Sequence, residues 1–134
     1  MQILVSIILF ETEFRFEILK ILHKKGADVK ATDCLGNNAL HLAVQKSNTI
    51  ELIKYLVEQV KLDVNSRNLE NQTALHLATY YGNMPVVEYL IENGAQVDAR
   101  DKNNALPLHI ASAYGHISLL ELFLSKGINF IIFN

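Results

Sequence analysis

The chain has one cysteine, Cys34, no tryptophan, two prolines and a formal net charge of only −2 over 134 residues. A lone cysteine has no intrachain partner, which excludes an internal disulfide framework and points to a reducing, intracellular and cytoplasmic setting. A charge so near zero offers no bulk attraction to phosphates, so nucleic-acid binding is not expected. Long apolar runs are missing too. The most apolar stretch is "MQILVSIILF" at the N-terminus, too short for the roughly 20 residues that cross a bilayer, so no membrane insertion is expected. It has no basic leading region and no small-residue cleavage site, and Glu11 and Glu13 follow at once. It reads as a buried helix rather than a secretory signal. There is no glycine-rich phosphate loop, no G-x-S-x-G and no histidine pair at helical i, i+4 spacing with a carboxylate between. Catalysis, a cofactor and a metal site are therefore not expected.

What the chain does have is apolar residues, half of the total, enough for one sizeable core, and they recur. "NALHLA" begins at Asn38, "TALHLA" at Thr73 and "LPLHIA" at Leu106, which puts His41, His76 and His109 at spacings of 35 and 33 residues. Gly26, Gly94 and Gly127, each after a short apolar segment, keep the same period at spacings of 68 and 33. Two independent markers on one period indicate a repeat architecture.

Each period reads as two short helices. In the second, the Thr73 hydroxyl is placed to cap a helix through Leu75, Leu77 and Ala78 that ends at Gly82. Val86, Val87, Leu90 and Ile91 form the apolar face of the next helix. Pro85 suits its first turn, and Gly94 suits the left-handed residue that closes it. The third period repeats this with Pro107, Gly115 and Gly127.

The combination of D-x-x-G before the first helix, L-H-L-A within it and G-A-D-V after the second resembles the ankyrin-repeat family, whose signature is T-P-L-H-x-A on a period of about 33. Asp33, Gly36, Leu40, His41, Leu42 and Ala43 carry the match in the first full repeat. The resemblance implies an all-α solenoid of paired antiparallel helices joined by β-hairpin-like turns. Residues 1–134 read as one domain, with 1–31 a degenerate leading repeat and 32–66, 67–99 and 100–134 as repeats. Asn71 and Asn104 replace the turn glycine, which asparagine tolerates. Leu106 lacks a capping oxygen, a loss of about 1 kcal/mol. The first full repeat is two residues long, with extra residues near "KSNTIEL" and "EQVKLDV", where the closing glycine is also absent.

A residue that does chemistry is needed once, and one that holds the frame is needed once per repeat. His41, His76 and His109 are therefore read as structural. The resemblance implies that they bond backbone and cap groups between repeats, and that His116 is structural as well. It also implies a protein partner held by a concave surface of turn tips and first helices. That surface falls on Tyr80, Tyr81 and Tyr114 after the L-H-L-A motifs, with Gln45, Lys46 and Ala113 at equivalent positions. The turns add Arg67 and Arg100, Leu35, Leu69, Glu70, Lys102 and Asn103. Tyr81 and Tyr114, 33 residues apart, are expected to be stacked neighbours, and the arginines are expected either to bind or to pair with Glu70, Asp98 or Asp101. Tyrosine and arginine are the residue types enriched at binding hot spots. The apolar ends, "ILVSIILF" and Phe130 to Phe133, suggest an alternative: self-association, or attachment to further repeats.

Overall fold

The computed structural model describes residues 15–46 and 50–127, with seven α-helices and no strand among them. They are α1 (Arg15–Lys24), α2 (Ala39–Lys46), α3 (Ile50–Glu58), α4 (Ala74–Tyr80), α5 (Met84–Glu92), α6 (Pro107–Ala113) and α7 (Ile117–Ser125). The connections inside the α4/α5 and α6/α7 pairs are only three residues long, so the two helices of each pair run antiparallel. The first helices α2, α4 and α6 stack on one another, and α3 and α5 pack together behind them. The result is two helical layers with turns along one side.

The core lies between the layers. Leu40, Leu75 and Leu108 are almost fully buried in the first helices, and they share one buried cluster with Leu56, Leu90 and Phe123 of the second. Leu19 brings α1 into the same core. Phe16 and His23 of α1 both contact Tyr55 of α3, with ring centroids 5.5 and 5.6 Å apart, and His23 Nδ1 lies 2.7 Å from the Tyr55 hydroxyl. His23, which the sequence leaves without a role, thus joins the leading helix to the array.

The helix ends follow the local chemistry. Thr73 caps α4, its Oγ1 accepting from the His76 amide, and Asn38 does the same for α2 through Oδ1, which accepts from the His41 amide at 3.0 Å. Leu106 makes no side-chain cap, and the His109 amide donates to the Leu106 carbonyl at 3.0 Å instead. The Leu106 side chain is 2% exposed, so burial offsets part of the missing cap. At the end of α5, Gly94 holds φ +92°, but after α3 the left-handed residue is Lys61 at φ +62°, one position later than the equivalent glycine. The extra residue near "EQVKLDV" is accommodated there: the Leu62 amide reaches the Leu56 carbonyl, whereas the Ala95 amide reaches Leu90. The stretch "KSNTIEL", where the other extra residue is expected, includes 47–49, which lie outside the described residues.

The turns are hairpin-like in their bonding. In each, the amide of the turn aspartate or asparagine donates to the carbonyl four residues on: Asp33 to Asn37, Asn68 to Gln72, Asp101 to Ala105. The side-chain Oδ1 of the same residue accepts two amides of its own turn. Asn71 and Asn104 take the left-handed position at φ +59° and +66°. Successive turns are bonded edge to edge, Leu69 amide to Leu35 carbonyl and Lys102 amide to Glu70 carbonyl. That approach is close enough that a Cβ on Gly36 would sit 2.9 Å from the Leu69 nitrogen.

Candidate functional site

His76 sits beneath the turn side of α4 and is fully buried. Its Nδ1 lies 3.1 Å from the Thr73 amide nitrogen, and its Nε2 lies 3.1 Å from the Ala105 carbonyl oxygen. An amide only donates and a carbonyl only accepts, so the ring is neutral with its proton on Nε2. His41 repeats the arrangement, Nδ1 accepting from Asn38 and Nε2 donating to the Gln72 carbonyl. His109 accepts from the Leu106 amide at 2.9 Å. Burial lowers the affinity of all three for a second proton. Both nitrogens of His41 and of His76 hold backbone, so neither ring offers a lone pair for a metal ion or a base. His116 Nε2 donates to the Tyr80 carbonyl at 3.0 Å, with its ring against Gly82.

A groove of about 320 Å³ opens between α4, α6 and the turns. His76, Leu77 and the half-buried Ile110 form its inner side, Tyr80 and Tyr114 its outer side, and Gln72 and Asp101 reach it from the turns. Tyr80, Tyr81 and Tyr114 are all exposed, at 44, 51 and 56%. The ring that meets Tyr114 is that of Tyr80, with centroids 4.7 Å apart at 71°, and Tyr80 also meets Tyr81 at 5.0 Å and 84°. The direct Tyr81–Tyr114 neighbourhood inferred from their spacing is thus replaced by a chain of rings centred on Tyr80. The residue equivalent to Tyr80 in the third repeat is Ala113. Leu77 and Ile110 escape a reading by composition, but Leu77 lies three residues before Tyr80 and Ile110 four before Tyr114, about one helical turn back on the same face.

The turn residues divide. Leu69 is 69% exposed, and Glu70, Lys102 and Asn103 are exposed beside it. Glu70 and Lys102 approach to 3.9 Å across neighbouring turns, an exposed pair worth little. Leu35 is exposed next to Leu69, and Gln45 is half-buried. The Lys46 side chain and residues 1–14 and 128–134, which include both apolar ends, lie outside the described residues. Arg67 is turned to the frame: its Nη1 donates to the Asn71 carbonyl at 3.0 Å and to the Arg100 carbonyl of the next turn at 2.8 Å. Arg100 donates to the Asn104 carbonyl at 2.9 Å in the same way. Arg67 thus bonds backbone carbonyls, where the sequence offers it either to a partner or to the carboxylates of Glu70, Asp98 or Asp101.

A profile of ankyrin repeats in three copies matches residues 11–101 and 46–134. The chain is 39% identical over 84 residues to alpha-latrocrustotoxin-Lt1a of Latrodectus tredecimguttatus, covering 63% of this chain and 6% of the toxin. It is 36% identical over 81 residues to I-Kappa-B like protein C1 of Microplitis demolitor bracovirus, 60% of this chain and 46% of that protein. It is 37% identical over 49 residues to the serine/threonine-protein kinase TNNI3K of Mus musculus, 37% of this chain and 6% of the kinase. The chain therefore spans less than half the length of each of these relatives. Ankyrin repeats generally mediate protein–protein interaction and are typically non-catalytic, and no helix among the described residues is long and apolar enough to cross a membrane. With the profile matched across both halves of the chain and the helix pairs, turns and histidines on one period, the chain belongs to the ankyrin-repeat family.

Proposed function

We propose that the chain binds a protein partner through the groove and the adjoining turn tips. Tyr80 and Tyr114 line the groove, Tyr81 packs beside Tyr80, and Leu69, Glu70, Lys102 and Asn103 extend the surface along the turns. The observation that carries this reading is the run of three exposed tyrosine rings, Tyr81 and Tyr114 each in contact with Tyr80, beside the apolar Leu77 and Ile110. Large aromatic surfaces with a polar tip are the usual anchors of protein interfaces. Arg67 supports the surface by bonding its own turn to the next, Arg100 braces its own turn, and the buried histidines fix the repeats beneath it. A surface built this way is ordered before it binds, which lowers the ordering cost of association. An intracellular, cytoplasmic setting belongs to the same reading, supported by the single, exposed thiol of Cys34.

The test is a partner recovered by affinity capture and then measured in isolation. Tyr80→Ala with Tyr114→Ala is expected to weaken its binding by about 2 kcal/mol or more, with folding stability changed by only about 0.5 kcal/mol. A partner whose affinity ignores both tyrosines would place the interface elsewhere.

A further inference from the structure

We infer that the groove seats a cationic side chain, a lysine ammonium or an arginine guanidinium, presented by the protein partner. This rests on the binding role proposed for the groove and names the chemistry of the residue that enters it. Tyr80 and Tyr114 line the groove with rings in edge-to-face contact at 71°, so aromatic surface bounds the space that a cation would enter. A cation within about 6 Å of such a ring is attracted by its negative face. Asp101 adds a carboxylate to the same groove, and no lysine or arginine lines it. His76 adds no positive charge, because both its ring nitrogens are engaged with backbone in the neutral form. The apolar inner side, Leu77 and Ile110, suits the aliphatic stem of a long basic side chain. The neighbouring repeat supplies the contrast: the positions equivalent to Tyr80, Tyr81 and Asp101 are Gln45, Lys46 and Asn68. Among the described junctions between first helices, two tyrosine rings and an aspartate coincide only at that of α4 with α6.

The experiment is an NMR titration of the whole chain, following the ring protons of Tyr80 and Tyr114, with blocked pentapeptides carrying lysine, arginine or norleucine between glycines. The lysine or arginine peptide is expected to saturate the shifts, and the norleucine peptide to bind about tenfold more weakly. Asp101→Asn is expected to weaken the cationic peptides about fivefold, and raising salt to act in the same direction. That variant keeps the turn, because Asn68 already makes the equivalent two bonds with its amide oxygen. Equal binding of norleucine and lysine peptides, no saturable binding of either cationic peptide, or indifference to Asp101→Asn would each overturn the inference. A partner that needs both tyrosines yet ignores Asp101→Asn would sink the cation while leaving the groove; one that ignores the tyrosines would sink the groove itself.

Discussion

The Nε2 of His76 lies 3.1 Å from the carbonyl oxygen of Ala105, 29 residues away in the next repeat. The same ring holds the first residue of its own helix cap through Nδ1. One side chain thus satisfies a helix N-terminus and a neighbouring turn at once. His41 does so one repeat earlier, toward Gln72. Stability in such arrays is a sum of repeat and interface contributions, and this residue belongs to both.

His76→Ala is accordingly expected to destabilise the fold by about 2–4 kcal/mol, since it leaves the Thr73 amide and the Ala105 carbonyl buried without that partner and opens a void. Urea unfolding followed by circular dichroism measures it. A loss below about 0.5 kcal/mol, the usual range for surface changes, would show that the ring is dispensable.

Acid should loosen the array before the carboxylates titrate. His41, His76 and His109 each resist protonation in the folded chain, above all because they are buried; Arg100 adds to this at His109, while the backbone carbonyls at His41 and His76 and the nearby aspartates partly oppose it. Their native pKa values lie below the 6.5 of an unfolded histidine, so below that pH the unfolded chain binds more protons. Their contribution is complete above 6.5 and is lost as pH falls from there through the native values. The unfolding midpoint in urea is expected to be lower at about pH 5 than at about pH 7.5, and the same midpoint at both would remove the linkage.

Lys61→Gly is expected to stabilise the fold. The left-handed backbone at φ +62° costs a residue with a Cβ about 1 kcal/mol or more, against a smaller entropic loss from a more flexible unfolded chain. The Lys61 side chain is exposed and leaves little packing behind. The net gain is about 0.5 kcal/mol, read from the denaturation midpoint. A lower midpoint would mean that Lys61 makes contacts that outweigh its backbone strain.

The Tyr89 hydroxyl donates to Glu58 Oε2 at 2.9 Å, joining α5 to α3. Burial first, then the hydrogen bond and charge of Glu58, raise its pKa from 10.0 to about 12. The stability it adds is complete below the unfolded value of 10.0 and fades as pH rises through the native one. In a spectrophotometric titration of the five tyrosines, Tyr89→Phe is expected to remove a step near pH 12. An unchanged curve in that range would break the assignment.

The sequence by itself determined the helices, their pairing and their period. Each helix is short and buries one face, so the apolar spacing, the cap at Thr73 and the left-handed glycines state its limits locally. The histidines were legible for the same reason: recurrence at one place in each repeat marks the frame. The relations between repeats were decided by tertiary structure alone. Tyr80 rather than Tyr81 reaches Tyr114, a choice made only when α4 and α6 stack. Arg67 turns to the Arg100 carbonyl because the next turn brings a backbone acceptor within 2.8 Å. Lys61 takes a glycine's conformation because the packing of Val60 and Leu62 into the core carries the extra residue past the usual closing position. A repeat pattern fixes what each unit buries; the offset between units depends on side-chain volumes that meet only when the units stack.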